Sequence, residues 1–306
     1  MDHFYIAGHT NPDGDCIGAC FSLGLALEKM GKRVRVLLEP FHHKYDIIPG
    51  QHFIDEGIDQ PSGDAVLICV DCADIDRLKG RARILMETIA CTINIDHHFS
   101  NTQFAKYNYI DDKASSTCEM IYRILDGFIE VDKGIASALY AGMISDTGGF
   151  RHGATSQGTL QAAGKLTALG IPFTEIYTEL LHLRSYTEVK LLGRVLDACR
   201  RSECGSVVHA CVTKAMMIGF EDAPDAVIQD LEGMIDHLIN IRGAKVALLV
   251  YDCCRDDEVK VSLRSREVNV GAVAQRLGGG GHHLAAGATV KGDIFEVRDR
   301  VLRLIG

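Results

Sequence analysis

No stretch of this 306-residue chain reaches the ~18 consecutive apolar residues that a membrane-spanning helix needs. No membrane partner is therefore expected. The opening residues, MDHFYIAGH, lack the basic start and small-residue cleavage site of a secretory signal, which makes cytoplasm the simplest compartment. A surplus of positive charge is also missing: 32 Lys and Arg stand against 41 Asp and Glu, for a net charge of −9 and a pI near 5.8. A long nucleic acid would want a basic stripe, so that partner is not expected. A small anionic substrate stays open, because bound metal ions reverse the local field. Internal repeats and low-complexity tracts are absent. The eleven cysteines lie scattered in a large chain without a leader, and so read as free buried thiols rather than a disulfide frame. Cys69-Val70-Asp71-Cys72 has C-x-x-C spacing, but no second pair answers it and it falls on a strand-like run, so zinc or redox roles are not assigned to it.

What is present is an ordinary globular composition, 47% apolar and 24% charged, in a chain long enough for two domains. The first half alternates strand and helix signals. Phe4–Ala7, Val34–Leu38, Ala65–Val70 and Thr92–Ile95 are apolar runs. Ile17–Met30 has helical spacing and stops at Gly31. Unbroken runs with helices between them predict a mainly parallel sheet covered by helices on both faces. From Ser115 to about Arg200 the pattern is mainly helical, and SYTEVKLLGRVLDACRR reads as an amphipathic link. Strand-like runs return at Val207–Val212, Val246–Tyr251 and Val259–Leu263, with a helical stretch over Asp225–Ile241. The expected class is α/β, with a larger domain over 1–183, a helical linker over 184–203 and a smaller α/β domain over 204–306.

Three of the runs end in polar clusters: His9 to Asp15 (HTNPDGD), Asp71 to Asp74, and Asp96 to His98. In open parallel sheets, ligands sit beyond the carboxyl ends of the strands. A turn needs Asn, Pro, Gly and one Asp; it does not need a second Asp two residues on. Carboxylates with imidazoles suit divalent metals of the Mn, Fe, Co and Zn kind. His9 and Asp13 could hold one ion. Asp15, His97 and Asp146 could hold another, with Asp71 as a bridge. Asp74 and Asp76 read as loop or cap residues, and His42-His43 as surface loop.

HTNPDGDCIGA, DCAD, DHH at 96–98 and SDTGGF at 145–150 resemble, in order, the four motifs of the DHH phosphoesterase family. SLRS at 262–265 and GGGGHHLAAG at 278–287 resemble its associated C-terminal domain of the Gly-rich type. The length resembles the branch that degrades very short oligoribonucleotides (nanoRNA) and dephosphorylates 3′-phosphoadenosine 5′-phosphate. The resemblance implies two metal ions, usually Mn²⁺. His9, Asp13 and Asp71 would bind the first, and Asp15, Asp71, His97 and Asp146 the second. His98 would lie near the substrate phosphate, and Asp96 would orient a histidine. A water between the ions would attack phosphorus. Gly14 would let the chain turn between Asp13 and Asp15.

The same resemblance puts Arg151 near substrate and gives the smaller domain the task of clamping a short nucleotide. There Arg264 and Ser265 would grip a phosphate, Gly278–Gly281, with Gly280 and Gly281 closest, would offer backbone N–H groups, and His282 would bind nucleotide. Asn269-Val270 and HGATS after Arg151 depart from the family pattern where substrate contacts are expected. Two rival readings are a phosphodiesterase for cyclic or linear dinucleotides and a nucleotide sensor that has lost catalysis. The branch admits a homodimer.

Overall fold

The computed structural model describes residues 1–55, 57, 63–219, 231, 233–252, 257–281 and 283–305. It comprises two units, Met1–Leu183 and Arg184–Gly306. Among the described residues, no helix is long and apolar enough to cross a membrane.

The first unit is built on strands β1 (His3–Ala7), β2 (Arg33–Leu37), β3 (Val66–Val70), β4 (Cys91–Asp96) and β5 (Tyr107–Ile110). They lie in the order β2-β1-β3-β4-β5, every pair parallel. Strand β3, VLICV, is buried along its whole length, as a central parallel strand covered on both faces must be. On one face Ile6, Val66 and Ile68 share a core with α1 (Gly14–Lys29), α3 (Thr117–Leu125) and α4 (Lys133–Asp146). On the other, Tyr5, Leu67 and Cys69 pack against Leu78 and against Ala82 and Leu85 of α2 (Gly80–Thr88). Two further helices, α5 (Gln157–Ala168) and α6 (Phe173–Leu181), complete the unit. Helix α1 begins three residues earlier than its apolar periodicity does, because Asp13 caps it. Strand β5 was not foreseen. It is a four-residue edge strand, YNYI, with no fully buried position, so it shows no continuous apolar run.

The second unit carries strands β6 (Arg200–Arg201), β7 (Val207–Val212), β8 (Val246–Asp252), β9 (Glu258–Ser265), β10 (Gly280–Gly281) and β11 (Ala285–Lys291). Their order is β10-β11-β9-β8-β7-β6, with only β7 and β8 parallel. Helix α7 (Tyr186–Asp197), opened by a Ser185–Glu188 capping box, buries Leu191 and Val195 against Val208, Ala210 and Leu249 of this sheet. Helices Val270–Arg276 and Ile294–Ile305 cover the opposite face. Residues 225–230 and 232 of the expected helical stretch 225–241 lie outside the described residues; Ile235–Ile239 is helical. Strand β11, AAGATVK, escaped the hydropathy pattern because its inward side chains are mostly alanine.

Candidate metal centre

Five parallel strands point their carboxyl ends to one edge. The exits of β1, β3 and β4 there deliver His9, Asp71 and Asp96 to His98. After β1 the chain turns through Asn11, at φ 53°, and enters α1 through Asp13. The Asp13 Oδ1 accepts hydrogen bonds from the backbone N–H groups of Asp15 (3.0 Å) and Cys16 (3.1 Å). Its Oδ2 is left 4.0 Å from His9 Nε2. Asp15 faces elsewhere: Oδ2 accepts from Thr117 N at 2.6 Å and Oδ1 from Cys118 N at 3.0 Å. These are the first N–H groups of α3, whose partial positive charge favours a carboxylate. The sequence reading of Gly14 needs correction. Its φ is not positive; instead a Cβ there would fall 2.0 Å from Ser145 Oγ. Gly14 provides space for the approach of α4, not a turn.

Asp71 sits where these groups converge. It adopts φ 54°, a left-handed conformation that Asp tolerates better than most residues. Its Oδ2 lies 3.4 Å from His9 Nε2, and its Oδ1 lies 3.6 Å from both His97 Nε2 and His98 Nδ1. Thr117 Oγ1 donates to Oδ1 at 3.0 Å. Asp146, the last residue of α4, brings Oδ2 to 3.2 Å from His97 Nε2. The Nδ1 atoms of His9 and His97 are taken by the carbonyls of Thr10 (2.8 Å) and Ala114 (3.3 Å). Each Nε2 is left facing the carboxylates. His98 Nδ1 bonds instead to Asp96 Oδ1 at 2.7 Å, and Asn101 Nδ2 donates to the other Asp96 oxygen at 2.6 Å.

Crowded buried carboxylates leave a clear electrostatic signature. Burial, with the charges of Asp71 and Asp146 added, holds Asp15 well above the usual carboxylate range. Burial pushes Asp146 up to about 7 against the opposing pull of His97. Burial would raise Asp71 too, but the bond from His9 and the charges of three histidines hold it at about 2. Burial lowers the two imidazoles, and their partners outweigh it, Asp71 and then Cys16 bringing His9 to about 11 and Asp15, Asp146 and Asp71 bringing His97 to about 9. The centre thus gathers protons in place of other cations. Once those protons leave, its imidazole and carboxylate donors fit a divalent metal. Among the described residues, donor atoms lie within 4.8 Å of one another in three groups: His9, Cys16 and Asp71; Asp71, His97 and His98; Asp15, His97 and Asp146. Cys16 was not foreseen.

Several supporting residues also escaped the sequence reading. Thr117 and Cys118 fix Asp15 from 102 and 103 positions away, which no local pattern reveals. Arg77 brings a guanidinium nitrogen 2.9 Å from His9 Nδ1. Asn101 was legible in principle, five residues after Asp96 in DHHFSN. Gly142 of α4 is equally constrained, since a Cβ would meet Cys118 Sγ at 2.1 Å and Asp15 Oδ1 at 2.8 Å. Gly142→Ala is expected to weaken divalent-metal binding about 10- to 100-fold, the scale seen when a ligand's support is lost. Unchanged metal affinity in a folded variant, measured by calorimetry, would contradict that constraint.

Of the remaining predicted residues, Arg151 belongs to the first unit and Arg264, Ser265, Gly280 and Gly281 to the second. Arg151 is exposed, and its Nε donates to Gly148 O at 2.8 Å. In the second unit, Arg264 on β9 has Nε 3.4 Å from Asp236 Oδ1. Ser265 is buried and its hydroxyl is engaged by the following turn. It accepts from Glu267 N (3.1 Å) and Val268 N (2.7 Å) and donates to Lys245 O at 3.2 Å. Gly280 and Gly281 form β10 against β11; Gly281 has φ 137°, and a Cβ would lie 2.5 Å from Ala286 Cα. His282 lies outside the described residues.

Residues 3–143 match the model of the DHH family, N-terminal domain, and residues 211–305 match the DHHA1 domain. A Thermus thermophilus protein is 32% identical over 304 residues, covering 98% of this chain and 88% of that protein. The chain belongs to the DHH family. That relative is named bifunctional oligoribonuclease and PAP phosphatase NrnA. A Bacillus subtilis protein of the same name is 26% identical over 98% of this chain and 93% of its own length. The crystal structure of an exopolyphosphatase-related protein from Bacteroides fragilis shares the fold at TM-score 0.87, with 24% identity over 99% of this chain and 91% of that one.

Proposed function

We propose that this chain is a metal-dependent phosphohydrolase that degrades very short oligoribonucleotides to mononucleotides and removes the 3′-phosphate of 3′-phosphoadenosine 5′-phosphate. The observation that carries the reading is the position of Asp71, within 3.6 Å of three histidine nitrogens in a centre that also holds Asp13, Asp15 and Asp146. The names of the Thermus and Bacillus relatives point the same way. In this reading His9, Asp13 and Asp71 hold one ion, and Asp15, Asp71, His97 and Asp146 a second; Mn²⁺ is the ion that the family resemblance implies. Two such ions supply an acidified water and withdraw charge from a phosphoryl oxygen. The chain's own groups do the rest. Asp96 orients His98 through Nδ1, leaving Nε2 to meet charge developing on the phosphate. Thr117 and the start of α3 keep Asp71 and Asp15 fixed as that charge moves. The catalytic domain spans 1–183, and the DHHA1 region within 204–306 binds nucleotide.

The test is a rate comparison with Mn²⁺ on RNAs of increasing length, on 3′-phosphoadenosine 5′-phosphate and on cyclic di-AMP. Preference for the shortest RNAs and for the bisphosphate supports the reading. Preference for the cyclic dinucleotide replaces it with the signal phosphodiesterase, and no metal-dependent release of mononucleotide leaves the sensor.

Arg264 is read as a phosphate-binding group of the second unit. Losing a hydrogen bond to a charged group costs about 1.5–3 kcal/mol, so Arg264→Ala is expected to raise the KM for nucleotides about 10- to 100-fold. Turnover of bis-p-nitrophenyl phosphate should stay at the wild-type level. Equal loss on both substrates would mean that Arg264 does more than recognise nucleotides.

A further inference from the structure

We infer that Cys16 is a sulfur ligand of the ion held by His9 and Asp71, and that this ion site therefore favours thiophilic divalent cations such as Zn²⁺, Co²⁺ or Cd²⁺. The inference rests on the metal-centre reading and adds to it a donor that none of the family motifs named above assigns.

Geometry is the first support. The Sγ of Cys16, a ring nitrogen of His9 and a carboxylate oxygen of Asp71 lie within 4.8 Å of one another. Donors bound at ~2.0–2.3 Å around a tetrahedral ion stand ~3.3–3.8 Å apart, so side-chain movements of about 1 Å close the group on an ion. Burial is the second. Cys16 is 0% exposed, His9 3% and Asp71 2%, whereas the Asp13 side chain is 54% exposed and has one oxygen committed to capping α1. The third is placement. Cys16 N–H is held by Asp13 Oδ1 at 3.1 Å, so the cap that aims Asp13 also fixes Cys16 in the first turn of α1. Gly8 leaves the sulfur its room, since a Cβ there would fall 2.3 Å from Cys16 Sγ. One imidazole, the carboxylates of Asp71 and Asp13 and one thiolate form a borderline-soft set of four, which ranks Zn²⁺ and Co²⁺ above Mn²⁺ and Mg²⁺. On binding, the S–H bond is exchanged for a metal–sulfur bond, and the proton leaves to buffer.

The full-length chain loaded with Co²⁺ should show near-ultraviolet thiolate-to-cobalt charge-transfer absorption. Cys16→Ser and Cys16→Ala should abolish it, and Cys20→Ser, one turn along α1, should keep it. Wild-type protein loaded with ¹¹³Cd should give one resonance displaced downfield by sulfur, a readout that needs no variant to fold. The ratio of Cd²⁺ to Mn²⁺ affinity should drop at least 10-fold in Cys16→Ala. Wild-type protein that binds Co²⁺ or Cd²⁺ with no sulfur signature, or an absorption band that survives Cys16→Ala, overturns the inference while leaving the metal-centre reading standing. A chain that binds no divalent ion at all overturns both.

Discussion

Asp71→Ala is expected to abolish hydrolysis, with a loss well beyond the ~10- to 100-fold that follows when only a supporting partner of a metal ligand is removed. The reason is position. One carboxylate faces His9 through Oδ2 and His97 and His98 through Oδ1, so its removal takes an oxygen from both proposed ions. Calorimetry should show divalent binding fall at both sites. Alanine also has to accept φ 54°, which costs about 1–2 kcal/mol. Asp71→Asn is the control, because asparagine tolerates that conformation and keeps the shape while losing the charge. Both variants should be inactive, and Asp71→Asn should hold its wild-type circular dichroism. Hydrolysis at the wild-type rate by metal-loaded Asp71→Ala would remove the basis of the proposed chemistry.

The second large effect is on stability, and it depends on pH. Saturating an ion site at 100 times its Kd stabilises a fold by about 2.7 kcal/mol, or roughly 5–10 °C in Tm for a unit of this size. The sign of the pH dependence follows from the shifted groups. His97 rises from 6.5 to about 9. Its contribution to the metal-free fold is complete below pH 6.5 and lost as pH rises through about 9. Asp146 rises from 3.8 to about 7, so its contribution is likewise lost as pH rises through about 7. Metal binding needs both groups without their protons. The metal-free fold therefore weakens between about pH 4 and pH 9, through Asp146 and then His97, while the ions bind more tightly. The Tm difference between Mn²⁺-loaded and EDTA-treated protein should widen over that range, and binding at pH 7 should release at least one proton. A difference that is constant or shrinks with pH would show that His97 and Asp146 do not bind the metal.

Much of the fold was legible in the chain. The runs at β1, β3 and β4 are continuous because central parallel strands are covered on both faces, and each gives way to polar residues, His9, Asp71 and Asp96, that are buried in the shared centre. Helix α1 was found one turn short, because the residues that begin it are chosen for capping and for space rather than for hydropathy. Strands β5 and β11 were missed for the opposite reason: a half-exposed edge and an alanine-lined face present no hydrophobic period.

The amino-acid sequence by itself determined the α/β class, the order of the family motifs and the chemical types of the candidate donors. These are local properties, because a strand and the polar residues that leave it are contiguous. Which way each donor faces was decided only by the tertiary structure. Asp15 is turned away from Asp13 by N–H groups more than a hundred residues distant. The demand for glycine at Gly14 comes from Ser145, and Cys16 meets Asp71 only when α1 packs on the sheet in which β1 and β3 pair. Such contacts arise from the close packing of segments far apart along the chain, and no spacing within a segment encodes them.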